Sequence, residues 1–241
     1  MKYDTIGKTY ADLRRPDPRI AQVIEAALGS AQSIVNVGAG TGSYEPSGRN
    51  LVAVEPSAEM IKKRRPDAAR AIQASAGDLP FPDKSFDAAM AILTIHHWAD
   101  KAAGLREIRR VTRGPIVLLT FDPAHRPWLT DYLPQLAALD EQIMPKLSDY
   151  EVWLGQPIRI MPVVVPHDCV DGFLYAYWRR PEAYLDPHIR SGSSSFWTLD
   201  GIETGLLALK HDLDTGAWSR RYPELLTLDA YDVGYRLVVA G

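Results

Sequence analysis

The chain has 241 residues but a single cysteine, Cys169. One thiol excludes an internal disulfide framework and a zinc ribbon. Long hydrophobic runs are missing as well. No apolar stretch approaches membrane-spanning length, and the opening Met1-Lys2-Tyr3-Asp4 has no apolar leader core. Positive charge is not in excess. The formal net charge is −3, which argues against the broad basic footprint of a DNA- or RNA-binding protein. The basic clusters Lys62-Lys63-Arg64-Arg65, Arg109-Arg110 and Arg179-Arg180 read as solvated helix faces. The six histidines include no H-x₃-H pair on one helix face, so no metal site is expected. His96 and His97 are neighbours, and at the end of a strand they would point to opposite sides. There is no internal repeat and no low-complexity tract. These absences leave a cytoplasmic globular protein, monomer or homodimer, with no nucleic acid and no membrane. Hydrophobic residues make up 46% and charged residues 24%, ordinary values for a folded domain.

What is present is a strong local pattern. Ile34-Val35-Asn36-Val37 runs into Gly38-Ala39-Gly40-Thr41-Gly42, and Leu51-Val52-Ala53-Val54 ends on Glu55. The pattern predicts a strand, a tight glycine loop and a second strand with a carboxylate at its tip. Glycine permits a left-handed backbone and a close approach of ligand to main chain. A terminal carboxylate suits the two hydroxyls of a ribose. A dinucleotide fingerprint would need G-x-G-x-x-G, and here the third glycine comes one residue early.

The segment Gly38-x-Gly40-x-Gly42 resembles the first motif of class I S-adenosylmethionine (SAM)-dependent methyltransferases. The run from Ala74 through Ser75-Ala76-Gly77-Asp78-Leu79-Pro80-Phe81 to Ser85-Phe86-Asp87 resembles the family's passage from third to fourth strand. Ile95-His96-His97-Trp98 then follows the apolar fourth strand. The resemblance covers roughly residues 1–123 and the last strand, and is closest to the branch acting on small molecules. It implies an α/β fold: a seven-stranded, mostly parallel, Rossmann-like sheet whose last strand is antiparallel. It implies SAM as cofactor and S-adenosylhomocysteine as product. Cofactor contacts are implied for Gly38, Gly40, Gly42, Asn36, Glu55, Ser75, Ala76 and Leu93. Asn36 stands where the family has an acid near the methionine end. Ser75 stands where an acid meets the adenine amino group.

Periodicity fills in the rest. Tyr3, Ile6, Tyr10 and Leu13 form one helical stripe in residues 1–15. By resemblance this segment is a lid over the cofactor, with Tyr10 near the sulfonium and Arg14 on the SAM carboxylate. The alternative is a surface helix with a buried tyrosine stripe. Asp17-Pro18 starts a helix over residues 18–28, which Gly29 ends. Strands are predicted at 34–37, 51–55, 70–74, 86–94, 115–121, 158–165 and 235–240, with helices at 57–64 and 100–112. Only eight residues, Ser43 to Asn50, separate Gly42 from the second strand, so the first crossover helix should have one or two turns. Residues 128–147 read as helical, broken at Pro134. The last two strands are separated by roughly seventy residues, the expected helical cap at 166–217 within a single domain 1–241. Its rings either form a satellite core or line a substrate pocket, with Tyr177, Trp178 and His167 as the substrate-facing candidates. His96 and His97 are the candidate bases, since an ordinary histidine titrates near ~6.5. The expected activity is methyl transfer from SAM to a small organic acceptor. Cyclisation on the same fold and a non-catalytic SAM-binding protein are the competing readings.

Overall fold

A computed structural model describes residues 13–241. Tyr3, Ile6 and Tyr10 of the expected lid lie outside the described residues. Seven strands form one sheet: β1 (Ser33–Val37), β2 (Asn50–Val54), β3 (Arg70–Ile72), β4 (Ala88–Ile92), β5 (Ile116–Phe121), β6 (Ile158–Pro162) and β7 (Tyr235–Ala240). Their spatial order is β3-β2-β1-β4-β5-β7-β6. The first five are parallel, and β7 runs antiparallel to both β5 and β6. This is the α/β sheet that the resemblance implies.

The strands read as short apolar runs because both faces of the sheet are covered. Side chains alternate between two cores. Ile34, Met90, Val117 and Leu119 face one side, while Val35, Ala89, Ala91 and Leu118 face the other. Helix α1 (Pro18–Leu28) covers the first side with Ile20, Ile24 and Leu28. Burying each of these contributes roughly 1.5–3 kcal/mol. Asp17 caps α1, accepting from the Arg19 backbone N–H at 3.0 Å, and Gly29 ends it. Helix α2 (Ala58–Lys62) follows β2, and α3 (Lys101–Val111) lies on the second side. The stretch after β5 breaks at Leu133–Pro134 into α4 (Leu129–Tyr132) and α5 (Pro134–Ile143). A further helix, α6 (Leu147–Leu154), packs against α3 through Tyr150 and Leu154.

Between β6 and β7 lie α7 (Pro187–Ser191), α8 (Glu203–Asp214), α9 (Ala217–Arg221) and several single turns. Most of the rings here are packed inward. Trp178, Tyr184, Tyr175 and Trp218 are buried with Trp128 and Phe121. Their N–H and O–H groups find partners where the packing allows. Trp128 donates to the Trp178 carbonyl at 2.8 Å, and Tyr175 donates to Asp140 at 2.9 Å.

Two local expectations need correction. No helix forms between β1 and β2, where residues 38–49 make only turns. The reason is the backbone: Gly38, Gly40, Gly42 and Tyr44 all have φ between +53° and +96°, and Pro46 interrupts what remains. Between Gly38 and Tyr44 every second residue is left-handed, so the consecutive right-handed residues that a helix needs are not available there. The fourth strand is also shorter than expected. It stops at Ile92 because Leu93 turns left-handed at φ +51°. Ile95–His97 is then a 3₁₀ turn, so His96 and His97 do not point to opposite sides. Their rings lie 3.9 Å apart, centre to centre.

Candidate functional site

The carboxyl ends of β1, β2 and β4 converge on a cavity of about 620 Å³. Open α/β sheets bind ligands at this edge. The β1 strand delivers the glycine loop there, and β2 anchors it. The Gly38 and Ala39 N–H groups both donate to the Val54 carbonyl, at 2.8 and 3.0 Å. Gly38 must be glycine for two reasons. Its φ is +71°, and a Cβ there would fall 2.1 Å from Thr94 Oγ1. The loop therefore packs directly on the turn that follows β4.

Glu55, at the tip of β2, is buried and accepts two backbone bonds. Gly40 N–H reaches one oxygen at 2.8 Å, and Ser57 N–H reaches the other at 2.9 Å. The carboxylate thus fixes the loop and the start of α2 before any ligand arrives. Each oxygen keeps a second lone pair for a hydroxyl. Ser57 also caps α2 by accepting from Met60 N–H at 3.2 Å, which brings Met60 to the cavity wall.

The opposite wall is the turn after β3. Ser75, Ala76, Gly77 and Asp78 all line the cavity. Trp98 and Asp100 close it from the start of α3, where Asp100 caps the helix on Ala103 N–H at 2.8 Å. Trp98 can lie there because Gly104 has no side chain: a Cβ would sit 2.5 Å from the indole.

Part of the wall is polar. Asn36 is only 1% exposed and lines the cavity. Its Nδ2 donates to Glu45 at 3.1 Å, while its Oδ1 has no partner among the described residues. Glu45 is held in turn by Arg64, whose Nη2 lies 2.7 Å from both carboxylate oxygens. Arg14 also lines the cavity, with its side chain 10% exposed. Its Nε donates to the buried Asp171 at 2.6 Å, and Asp171 also accepts from the Tyr44 hydroxyl at 2.8 Å. Asp171 thus joins residues 166–217 to Arg14 on the cavity wall and to Tyr44 in the crossover between β1 and β2.

Of the two imidazoles, His97 lines the cavity and His96 does not. Both are held neutral. Desolvation is the main cause for each, with Lys101 and Arg14 adding to it, and His97 adding to the effect on His96. His97 is pushed down to about 4 and His96 goes well below the usual imidazole range.

The residues named from the sequence thus separate into two groups. Asn36, Gly38, Gly40, Glu55, Ser75, Ala76, Leu93, Arg14 and His97 share the cavity wall. Gly42 faces away from it, because a Cβ there would meet Glu45 and Arg64 at 3.1–3.2 Å. Tyr177, Trp178 and His167 are not on the wall either. Tyr177 packs on Tyr184 and under the Arg180 guanidinium. Trp178 is 1% exposed and spends its indole N–H on the Val165 carbonyl at 2.9 Å. His167 belongs to a small ribbon in which Val165–Pro166 pairs with Ala230–Tyr231, and its N–H donates to Asp229. Tyr10 lies outside the described residues. Sequence reasoning missed Thr94, Met60 and Asp78, and the two ion pairs behind the wall. Nothing in spacing connects Arg14 with Asp171, 157 positions away. Among the described residues no cluster of His, Cys, Asp or Glu could hold a metal ion. No helix among them is long and apolar enough to cross a membrane.

The chemistry of this wall fits SAM. A carboxylate, a turn of small residues, a buried amide and a guanidinium line one cavity, and these groups complement the hydroxyls, purine, ammonium and carboxylate of that molecule. Known proteins agree. The methyltransferase-domain family profile matches residues 35–115. A demethylmenaquinone methyltransferase from Renibacterium salmoninarum is 32% identical over 180 residues, covering 67% of this chain and 73% of the relative. One from Paenarthrobacter aurescens is 30% identical, covering 67% and 68%. A crystal structure from Anabaena variabilis, described as a proposed methyltransferase from an antibiotic biosynthesis pathway, superposes with a TM-score of 0.87. It is 36% identical, covering 95% of this chain and 99% of that one.

Proposed function

The chain belongs to the class I SAM-dependent methyltransferases and methylates a small molecule, and from that premise we propose how its cavity is divided. Glu55 takes the ribose hydroxyls, Ser75 and Ala76 take the adenine, and Gly38 and Gly40 let the ligand lie against the main chain. Asn36 and Arg14 take the amino and carboxylate groups of the methionine portion. The acceptor enters where Leu93, Thr94 and His97 bound the remaining space. The observation that carries this reading is the set of complementary groups on one cavity wall, above all the paired backbone bonds of Glu55.

SAM supplies an electrophilic methyl group, so alignment and exclusion of water matter more than strong acid or base. Thr94 packs directly against the glycine loop at Gly38, and Leu93 precedes it on the same turn, which suits alignment. Arg14, clamped by Asp171, keeps a cation at the rim without a mobile side chain. A neutral His97 accepts a hydrogen bond from an acceptor hydroxyl and orients it. With its pKa near 4 it is a weak base at neutral pH, so its role is orientation more than proton removal. The relatives named as demethylmenaquinone methyltransferases support an acceptor with a ring. A cytoplasmic location and a single domain with a cap at 166–217 complete the reading.

The test uses one substitution and two readouts. His97→Phe should leave the Kd for S-adenosylhomocysteine within about twofold. Transfer to a demethylated quinol should fall about 10- to 100-fold in kcat/KM, the loss of one oriented hydrogen bond to a reacting group. Unchanged transfer, or an equal loss in cofactor affinity, would move the acceptor away from His97.

A further inference from the structure

Asn36 stands at the position where the family resemblance calls for an acid, yet the structure keeps a carboxylate close by. It comes from Glu45, nine residues on, inside the crossover that has no helix. Glu45 accepts from Asn36 Nδ2 at 3.1 Å. It does so from a fixed position. Arg64 bonds both its oxygens at 2.7 Å, and donates also to the carbonyls of Gly40 at 3.2 Å and Ala69 at 3.1 Å. The side chains of the pair are 5% and 9% exposed. The third glycine of the motif makes room for them. Gly42 has φ +96°, and a Cβ there would lie 3.1 Å from Glu45 Oε2 and 3.2 Å from Arg64 Nη1. Gly42 thus serves the ion pair, while Gly38 and Gly40 serve the cavity.

An amide has two chemically different ends, and an isolated asparagine can present either one. A carboxylate removes that freedom because it accepts hydrogen bonds and donates none. Only Nδ2 of Asn36 can face Glu45, and Oδ1 is then left on the other branch of a cavity-lining residue, buried and without a partner among the described residues. A buried lone oxygen of this kind is a site for a donor. We propose that Glu45 is a positioning residue for cofactor binding: it pins the Asn36 amide so that Oδ1 meets the ammonium group of the methionine portion. This rests on the reading that the cavity takes SAM. The carboxylate has in effect moved one step back from the ligand and acts through an amide. Arg64 compensates its charge, so the ammonium is recognised by an oriented dipole and not by a direct ion pair.

One chemical group of the ligand makes this contact, and that group can be removed. The Kd of S-adenosylhomocysteine and of its analogue lacking the α-amino group are measured by titration calorimetry. The proteins are the natural chain, Glu45→Gln, and the double variant Asn36→Asp/Glu45→Gln, each with a thermal melt. The natural chain should prefer the amino ligand by about tenfold, the usual size of one oriented hydrogen bond to a charged group. In Glu45→Gln the new amide can donate as well as accept, so Asn36 is no longer pinned, and the preference should fall towards one. The double variant keeps the net charge and puts a carboxylate at position 36, and the preference should return to tenfold or more. Damage to the loop alone would weaken both ligands together and leave their ratio unchanged. An unchanged ratio in Glu45→Gln, or no recovery in the double variant, overturns the role of Glu45. If Glu45→Gln binds neither ligand, the ratio in the double variant decides. If the natural chain binds neither ligand, the cofactor reading itself is lost, and that outcome is distinct from the others.

Discussion

Glu55→Gln is the sharpest probe of the cofactor site, because the substitution changes one atom in a fully specified environment. Both carboxylate oxygens of Glu55 accept a backbone N–H, from Gly40 at 2.8 Å and Ser57 at 2.9 Å. Glutamine has one acceptor oxygen and one donor nitrogen. Whichever way the amide turns, its NH₂ must face one of those two N–H groups, donor against donor. If the oxygen stays on Ser57, which opens α2, the Gly40 N–H is stranded and the glycine loop loosens. One lost charge-assisted bond costs about 1.5–3 kcal/mol of folding stability. The ribose also loses an anionic acceptor, worth a similar amount in binding, so the Kd for S-adenosylhomocysteine should rise about 10- to 150-fold. Titration calorimetry at 25 °C measures the second effect, and a denaturant melt measures the first. A folded variant whose Kd stays within twofold of the natural chain would refute the assignment of Glu55.

Two further predictions concern groups behind the wall. Asp171→Asn leaves the Arg14 guanidinium and the Tyr44 hydroxyl facing a neutral amide in a buried position. Stability should fall by about 3–5 kcal/mol in a urea melt, the usual result of breaking a buried ion pair, and affinity for S-adenosylhomocysteine should weaken. No change in midpoint would mean that the clamp carries no load. Asp140 gives a prediction about pH. Burial pushes its carboxyl up from 3.8 to about 6, against the opposing pull of the Tyr175 hydroxyl and Arg126. The folded state therefore binds the proton more tightly than the unfolded chain. The stabilisation from this group is fully present below about pH 4 and is lost as pH rises through 6. The neutral variant Asp140→Asn should raise the melting temperature at pH 7–8, by at most about 3 kcal/mol in free-energy terms, and its advantage should vanish near pH 4. An advantage that does not change with pH would show that ionisation of Asp140 is not its source.

The sheet and most of the residues that line the cavity were legible in the sequence, because those features are local. Alternating apolar residues such as Ile34 and Val35 must sit on opposite faces of a strand wherever it lies. A glycine run between two strands and an acid at the second strand's tip need only about twenty residues to be read. The rest depends on contacts between distant parts of the chain. Leu93 turns left-handed and a 3₁₀ turn follows, which brings the two histidine rings together with only His97 on the cavity wall. The rings of Tyr177 and Trp178 turn inward because Trp128, Tyr184 and the Val165 carbonyl offer packing and a hydrogen-bond partner there. Asp171 meets Arg14 and Tyr44, and Glu45 meets Asn36 and Arg64, only after the chain has closed on itself. A charged side chain carries no mark in the sequence of the partner it will find. The partner is set by which oxygens and nitrogens are left buried and unmatched once the two cores are packed.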